Sequence, residues 1–137
     1  MIYITRKEHF CASHKLYVQE WSEEKNREIF GKCSNPNGHG HNYSIYVTVK
    51  GEVDSKTGFL INLKIISKLI QDYILEKIDH KDFNLDVEFM KGIIPTTENI
   101  TREIWRKLEG PINELSCQLH CIKLQETEKN YAEYYGE

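Results

Sequence analysis

The side chains best suited to chemistry are most closely spaced in Cys33-Ser-Asn-Pro-Asn-Gly-His39-Gly-His41. Two histidines at i and i+2, entering a strand, project to the same face, and the glycine between them removes crowding. Imidazole nitrogens must converge to about 2 Å from a zinc ion, and this spacing lets them do so without strain. His39 and His41 share parity with Tyr43, Ile45 and Val47, so the pair faces the apolar side of the strand, where water is limited. A third nitrogen is available from His14, in Phe10-Cys11-Ala12-Ser13-His14. This segment ends a first strand that can lie beside the start of the second in an antiparallel pair. Three histidines with an open fourth position make a catalytic zinc site, whereas Cys33 as fourth ligand would make a closed structural one. Spacing alone leaves both open.

These residues need a frame to hold them. Residues 2–11 read as a strand, and residues 20–38 as a polar, turn-rich loop with SNPNG as its strongest signal. From His41 to Gly51, Tyr43, Ile45, Val47 and Val49 alternate with Ser44, Tyr46, Thr48 and Lys50, the pattern of a half-buried strand. Residues 54–58 turn the chain. Residues 62–78 read as a helix capped by Asn62, with Leu63, Ile66, Ile70 and Tyr73 at helical spacing, supported by Leu69 and Ile74. A second helix starts at Thr96 or Thr97, carries the stripe Ile100, Ile104, Leu108, and is expected to stop at Gly110-Pro111. Two strands follow, over 117–127 and 130–135.

The order ββααββ points to an α+β fold, a four-stranded antiparallel sheet with two helices on one face. Leu119 and Cys121 read as apolar side chains on the opposite face, which another subunit is expected to cover. Such a subunit would also close the sheet's two edges.

At 137 residues the chain is expected to be one domain, residues 1–137. Its net charge of −3 and the lack of a basic aromatic patch argue for no nucleic acid partner. No apolar run approaches the roughly 20 residues that cross a bilayer, so no membrane partner is expected either. The opening MIYITRKEHF lacks a signal-peptide core, so a cytoplasmic location is expected. There Cys11, Cys33, Cys117 and Cys121 should be reduced, with Cys117 and Cys121 acting as small core hydrophobes.

Several further runs, FCASHKL, FGKCSNPNGHGHNY, KIDHKDFNLDVEF, PTTEN and KLQETEKN, with the final YYGE, complete a pattern. Together they resemble the 6-pyruvoyl-tetrahydropterin synthase family, nearly end to end and in one order. The resemblance implies the tunnelling fold, in which the sheets of several subunits join into a barrel, within a homohexamer built as a dimer of trimers. It implies Zn2+ as cofactor, held by His14, His39 and His41. Cys33 then matches the catalytic cysteine rather than a ligand, and Asp79 and His80 match its Asp-His partners. Glu126 matches the carboxylate that anchors the pterin ring, with Thr96, Thr97 and Glu98 in the matching recognition segment. In the family these groups meet at a subunit interface.

The implied substrate is a small-molecule pterin triphosphate, 7,8-dihydroneopterin triphosphate. Triphosphate is eliminated and protons shift, so that the side chain becomes a diketone while the ring is reduced, with no external reductant. A thiolate at Cys33 suits the removal of a carbon-bound proton, and Asp79 suits the orientation of His80 for proton transfer. Adjacent Asp and His on a regular element point apart, so this pairing requires an irregular turn after the first helix. Glu126 can accept two hydrogen bonds from pterin N–H groups.

Two alternatives accompany this reading. The 6-carboxy-tetrahydropterin synthases of the queuosine and deazapurine route share fold, metal and substrate but also release acetaldehyde. Their cysteine typically stands at Cys-x₃-His, whereas five residues separate Cys33 from His39 here. The other is a non-catalytic zinc scaffold closed by Cys33. One departure from the family is Cys11, where serine is common.

Overall fold

The computed structural model describes residues 1–137. In chain order its elements are β1 (Ile2–His14), α1 (Glu23–Phe30), β2 (His39–Gly51), α2 (Leu63–Ile70) and α3 (Glu76–Ile78). They are followed by β3 (Lys81–Asp82), α4 (Thr97–Asn113), β4 (Gln118–Thr127) and β5 (Asn130–Tyr134). One open sheet forms in the order β3-β1-β2-β4-β5. The four long strands pair antiparallel, and the two-residue β3 adds parallel to the end of β1. The fold is therefore α+β, with helices packed on one face of a mixed five-stranded sheet rather than a purely antiparallel four-stranded one.

Alternation sets which face is buried. Phe10, Ala12 and His14 of β1 and Tyr43, Ile45, Val47 and Val49 of β2 lie under the helices, while Tyr3, Thr5, Lys7 and His9 face outward. Helix α4 supplies Ile100, Ile104, Leu108 and Ile112, all fully buried. Each such isoleucine or leucine contributes about 1.5–3 kcal/mol of transfer free energy. The α4 stripe does not end at Gly110-Pro111. Ile112 continues the i+4 series into the core, and Pro111 stands in the last turn, where its missing N–H breaks only one bond.

Between α2 and α3 the chain forms a π-helical turn, Gln71–Leu75. Ile66, Ile70, Ile74 and Ile78 are all fully buried, a strict i+4 series. In a pure α-helix such a series drifts by roughly 40° per step. The wider π turn counters the drift and keeps all four on the sheet. The same turn rotates Tyr73 outward, so that it is 40% exposed rather than part of the stripe.

Three further elements differ from expectation. The supposed loop over 20–38 contains α1, whose Ser22 hydroxyl accepts from the Lys25 N–H, and only Asn26 of this helix is buried. β1 runs on past residue 11 to His14. In β4 a bulge opposite Thr48/Val49 shifts parity. Leu119, opposite Val49, joins the core, while Cys121, opposite Thr48, lies on the outer face. The two are thus on different faces, not both on the outer one.

Candidate metal centre

The end of β1 and the start of β2 bring the three histidines together. His14 stands directly opposite His39 in the antiparallel register, and His41 pairs with Ala12. All three rings lie on the helix-covered face, with centroids 4.6 Å (His14–His39), 5.1 Å (His14–His41) and 4.7 Å (His39–His41) apart. One nitrogen from each lies within 4.8 Å of the others. No other side chain belongs to this group, so Cys33 does not complete it as a fourth ligand.

Hydrogen bonding settles how the rings present themselves. His14 Nδ1 lies 2.7 Å from the Pro95 carbonyl, an acceptor only, so Nδ1 carries the proton. In neutral His14, Nε2 is then a bare lone pair, and it faces His39 Nε2 at 3.1 Å. His41 Nε2 is buried with no hydrogen-bond partner. Burial lowers the His39 pKa, with His14 adding and Glu126 opposing. Burial likewise lowers that of His41, against an upward pull from Glu126, with His14 and His39 adding to the decrease. Three imidazoles with nitrogens converging on one point, that of His41 without a partner, are a donor set that a divalent metal ion requires, and the carbonyl behind His14 is the usual outer support. The residues fit the ion.

Surrounding elements hold this cluster in place. Asn84 accepts from the Lys15 N–H at 2.7 Å and donates to its carbonyl at 2.9 Å, and Asn26 does the same for Val18 at 2.8 and 3.1 Å. Two side-chain amides thus replace strand pairing just beyond His14. Gly38, at φ 69°, lets the incoming chain pass the His14 carbonyl, where a Cβ would stand 2.7 Å from the oxygen. Tyr43 floors the site, stacked on Phe10 at 4.7 Å. Burial, aided by the Glu126 charge, pushes its phenol well above the ordinary range.

Beside the cluster stands Glu126 on β4. Its Oε1 is 3.7 Å from His41 Nε2, and its Oε2 accepts from Thr97 Oγ1 at 2.6 Å. Thr97 is buried, and Thr96 caps α4 by accepting from the Asn99 N–H at 3.2 Å. Glu98 is exposed on the first turn. Of the PTTEN run, then, Thr97 reaches the site directly, Pro95 reaches it through its carbonyl, and Thr96 sets the helix that carries them.

Cys33 sits half-buried in a 3₁₀ turn, Gly31–Ser34, and its carbonyl accepts from the Leu16 N–H at 2.8 Å. Asp79 and His80 lie elsewhere, after α3. His80 is the one non-glycine residue with positive φ, 61°, which is the irregular turn that the pairing requires. It places His80 Nδ1 3.0 Å from Asp79 Oδ1. The same carboxylate oxygen accepts from the Cys11 N–H at 3.0 Å, and the His80 N–H donates to the Cys11 carbonyl at 2.7 Å. The thiol grouped with this pair in the chain is Cys11, and Cys33 is not in that group.

Sequence reasoning missed Pro95, Asn84 and Asn26. Each acts through a carbonyl or a side-chain amide that carries no sequence signal of its own, Asn26 from within α1 and the other two from loops.

The chain is similar to known proteins over nearly its whole length. The sequence pattern described as 6-pyruvoyl tetrahydropterin synthase matches residues 3–137. A 6-pyruvoyl tetrahydrobiopterin synthase from Pongo abelii is 43% identical over 136 residues, 98% of this chain and 91% of that protein. The structure of Caenorhabditis elegans 6-pyruvoyl tetrahydropterin synthase superposes with a TM-score of 0.90 at 35% identity, covering 99% of this chain and 96% of that one. A 6-carboxy-5,6,7,8-tetrahydropterin synthase from Bacillus subtilis is 32% identical over 113 residues, 79% of this chain and 73% of that protein.

Proposed function

The chain belongs to the 6-pyruvoyl tetrahydropterin synthase family, and from that premise we propose that it converts 7,8-dihydroneopterin triphosphate to 6-pyruvoyl-tetrahydropterin with elimination of triphosphate. The observation that carries this reading is the adjacency of two recognition devices. Three converging imidazoles stand next to a carboxylate, Glu126, that is oriented by Thr97.

Glu126 is a planar acceptor for the amino and ring N–H groups of the pterin. Thr97 holds one carboxylate oxygen, which fixes the plane in which the ring binds. The substrate's side chain then lies over the imidazole cluster. Zinc held by His14, His39 and His41 would polarise the side-chain oxygens and acidify the neighbouring C–H groups. Cys33 serves as base for a carbon-bound proton. His80, oriented by Asp79, takes up and returns protons along the side chain.

Since Cys33 is not grouped with Asp79–His80 of its own chain, these parts are assigned to different subunits, with Cys33 meeting the pair from a neighbour. The exposed His80 side chain and the open sheet edges support such an assembly. A barrel joined from several sheets, in a homohexamer, is the arrangement proposed. Spacing and coverage both favour the pyruvoyl product over the carboxy one. Five residues separate Cys33 from His39, and the pyruvoyl relative aligns over 98% of the chain against 79% for the carboxy relative.

The deciding experiment incubates the purified protein, loaded with one equivalent of zinc per chain, with dihydroneopterin triphosphate and identifies the pterin released. Triphosphate with 6-pyruvoyl-tetrahydropterin is expected. Release of acetaldehyde with a 6-carboxy pterin would replace this reading by the carboxy one.

A further inference from the structure

We propose that Cys11, Asp79 and His80 form a second divalent-cation site, made of thiolate, carboxylate and imidazole, on the sheet face opposite the three histidines. One donor atom from each of the three side chains lies within 4.8 Å of the others. Cys11 has the parity opposite to His14 on β1, so its side chain projects outward while the imidazole cluster lies under the helices. The two centres are therefore separate, although only two residues intervene between Cys11 and His14.

The group is held by backbone rather than by chance side-chain approach. The Cys11 N–H donates to Asp79 and the Cys11 carbonyl accepts from the His80 N–H. The left-handed backbone at His80 fixes its ring beside the carboxylate. An open cleft of about 550 Å³ gives access, lined by Cys11, His80, Lys81, Asp82 and Asp86 and bordered by Gly40 and His41 of β2, so the two centres have separate donor sets but adjoin. Asp82 and Asp86 outweigh Lys81 in charge, which favours a cation. A thiolate and an imidazole together select a borderline-soft ion such as zinc over magnesium or calcium. On binding, the Cys11 thiol loses its proton to solvent, and open positions on the ion are filled by water.

A consequence for turnover rests on the reading that Asp79 and His80 move protons. An ion bound to their donor atoms takes them out of proton transfer, so zinc beyond the first equivalent inhibits.

Cobalt titration of the chelator-stripped full-length protein tests the site, because cobalt bound to thiolate absorbs strongly in the near ultraviolet and cobalt bound only to imidazoles does not. The wild type should take two equivalents per chain, with the sulfur band appearing on the second. Cys11→Ser should take one, without the band, and keep its basal turnover. Cys33→Ser should retain both equivalents and the band. A single equivalent in the wild type, or a band that survives Cys11→Ser, overturns the site. Zinc added beyond one equivalent should abolish turnover of the wild type and spare Cys11→Ser. If the second equivalent binds at Cys11 and turnover is unchanged, the metal site stands and the proton-transfer role of Asp79–His80 falls.

Discussion

The ring of His14 is held by the carbonyl of Pro95, with Nδ1 2.7 Å from the oxygen. A strand end and the residue just before a helix cap thus combine to aim one lone pair into the metal centre. His14→Ala should lose the ion, and His14→Gln should bind it at least about 10–100-fold more weakly, the penalty seen even for outer-shell changes. Metal content after gel filtration and a chelator-competition titration read this directly.

Thr97 orients Glu126 through a 2.6 Å hydrogen bond. Thr97→Val keeps the shape and removes the donor, which should cost about 1–1.5 kcal/mol, or roughly tenfold in kcat/KM. Thr97→Ser should restore most of it. Equal loss in both variants would assign Thr97 to packing rather than to carboxylate orientation.

For Cys33→Ala the expected result is full metal content with turnover lowered by about 10²–10⁴-fold, the range for loss of a general base. Metal loss accompanied by unfolding would instead make Cys33 a structural ligand. Mixing Cys33→Ala with His80→Ala subunits and reassembling them should recover part of the activity, because some interfaces then contain both intact residues. No recovery would mean that the two residues act within one chain.

The metal-free protein should become less stable as pH falls. Burial lowers the folded-state pKa of His39 and His41 below the ordinary 6.5. Between 6.5 and that lower value the unfolded chain binds more protons than the folded one, so stability rises with pH across this window and is flat above it. Thermal melts of chelator-stripped protein at pH 7.5 and 5.5 should show the drop, and His41→Asn should reduce it.

Gly38→Ala combines a left-handed backbone with a Cβ placed 2.7 Å from the His14 carbonyl oxygen. It should destabilise by about 1–3 kcal/mol and weaken metal binding, since the atoms displaced belong to His14. Denaturant midpoints and the metal titration measure the two effects separately.

Much of this was legible in the sequence. The parity of His39 and His41 with Tyr43, and the helical stripe of Ile100, Ile104 and Leu108, follow from periodicity, and all three stripe residues are fully buried. Helix α1 escaped because a short helix burying only Asn26 has no apolar stripe to read, although Ser22 before two glutamates was a cap signal. β3 is too short for any period. The bulge that separates Leu119 from Cys121, and the π turn that exposes Tyr73, are choices of the tertiary fold between registers that the sequence permits equally. The pairing of His14 with Pro95 depends on a carbonyl, which every residue carries.

The Leu16 N–H bonds to the Cys33 carbonyl, so the backbone at position 33 is tied to the chain two residues beyond His14. A change of side chain at position 33 leaves this bond in place, so a shift of the chain just beyond His14 is passed through main chain to the turn that presents Cys33.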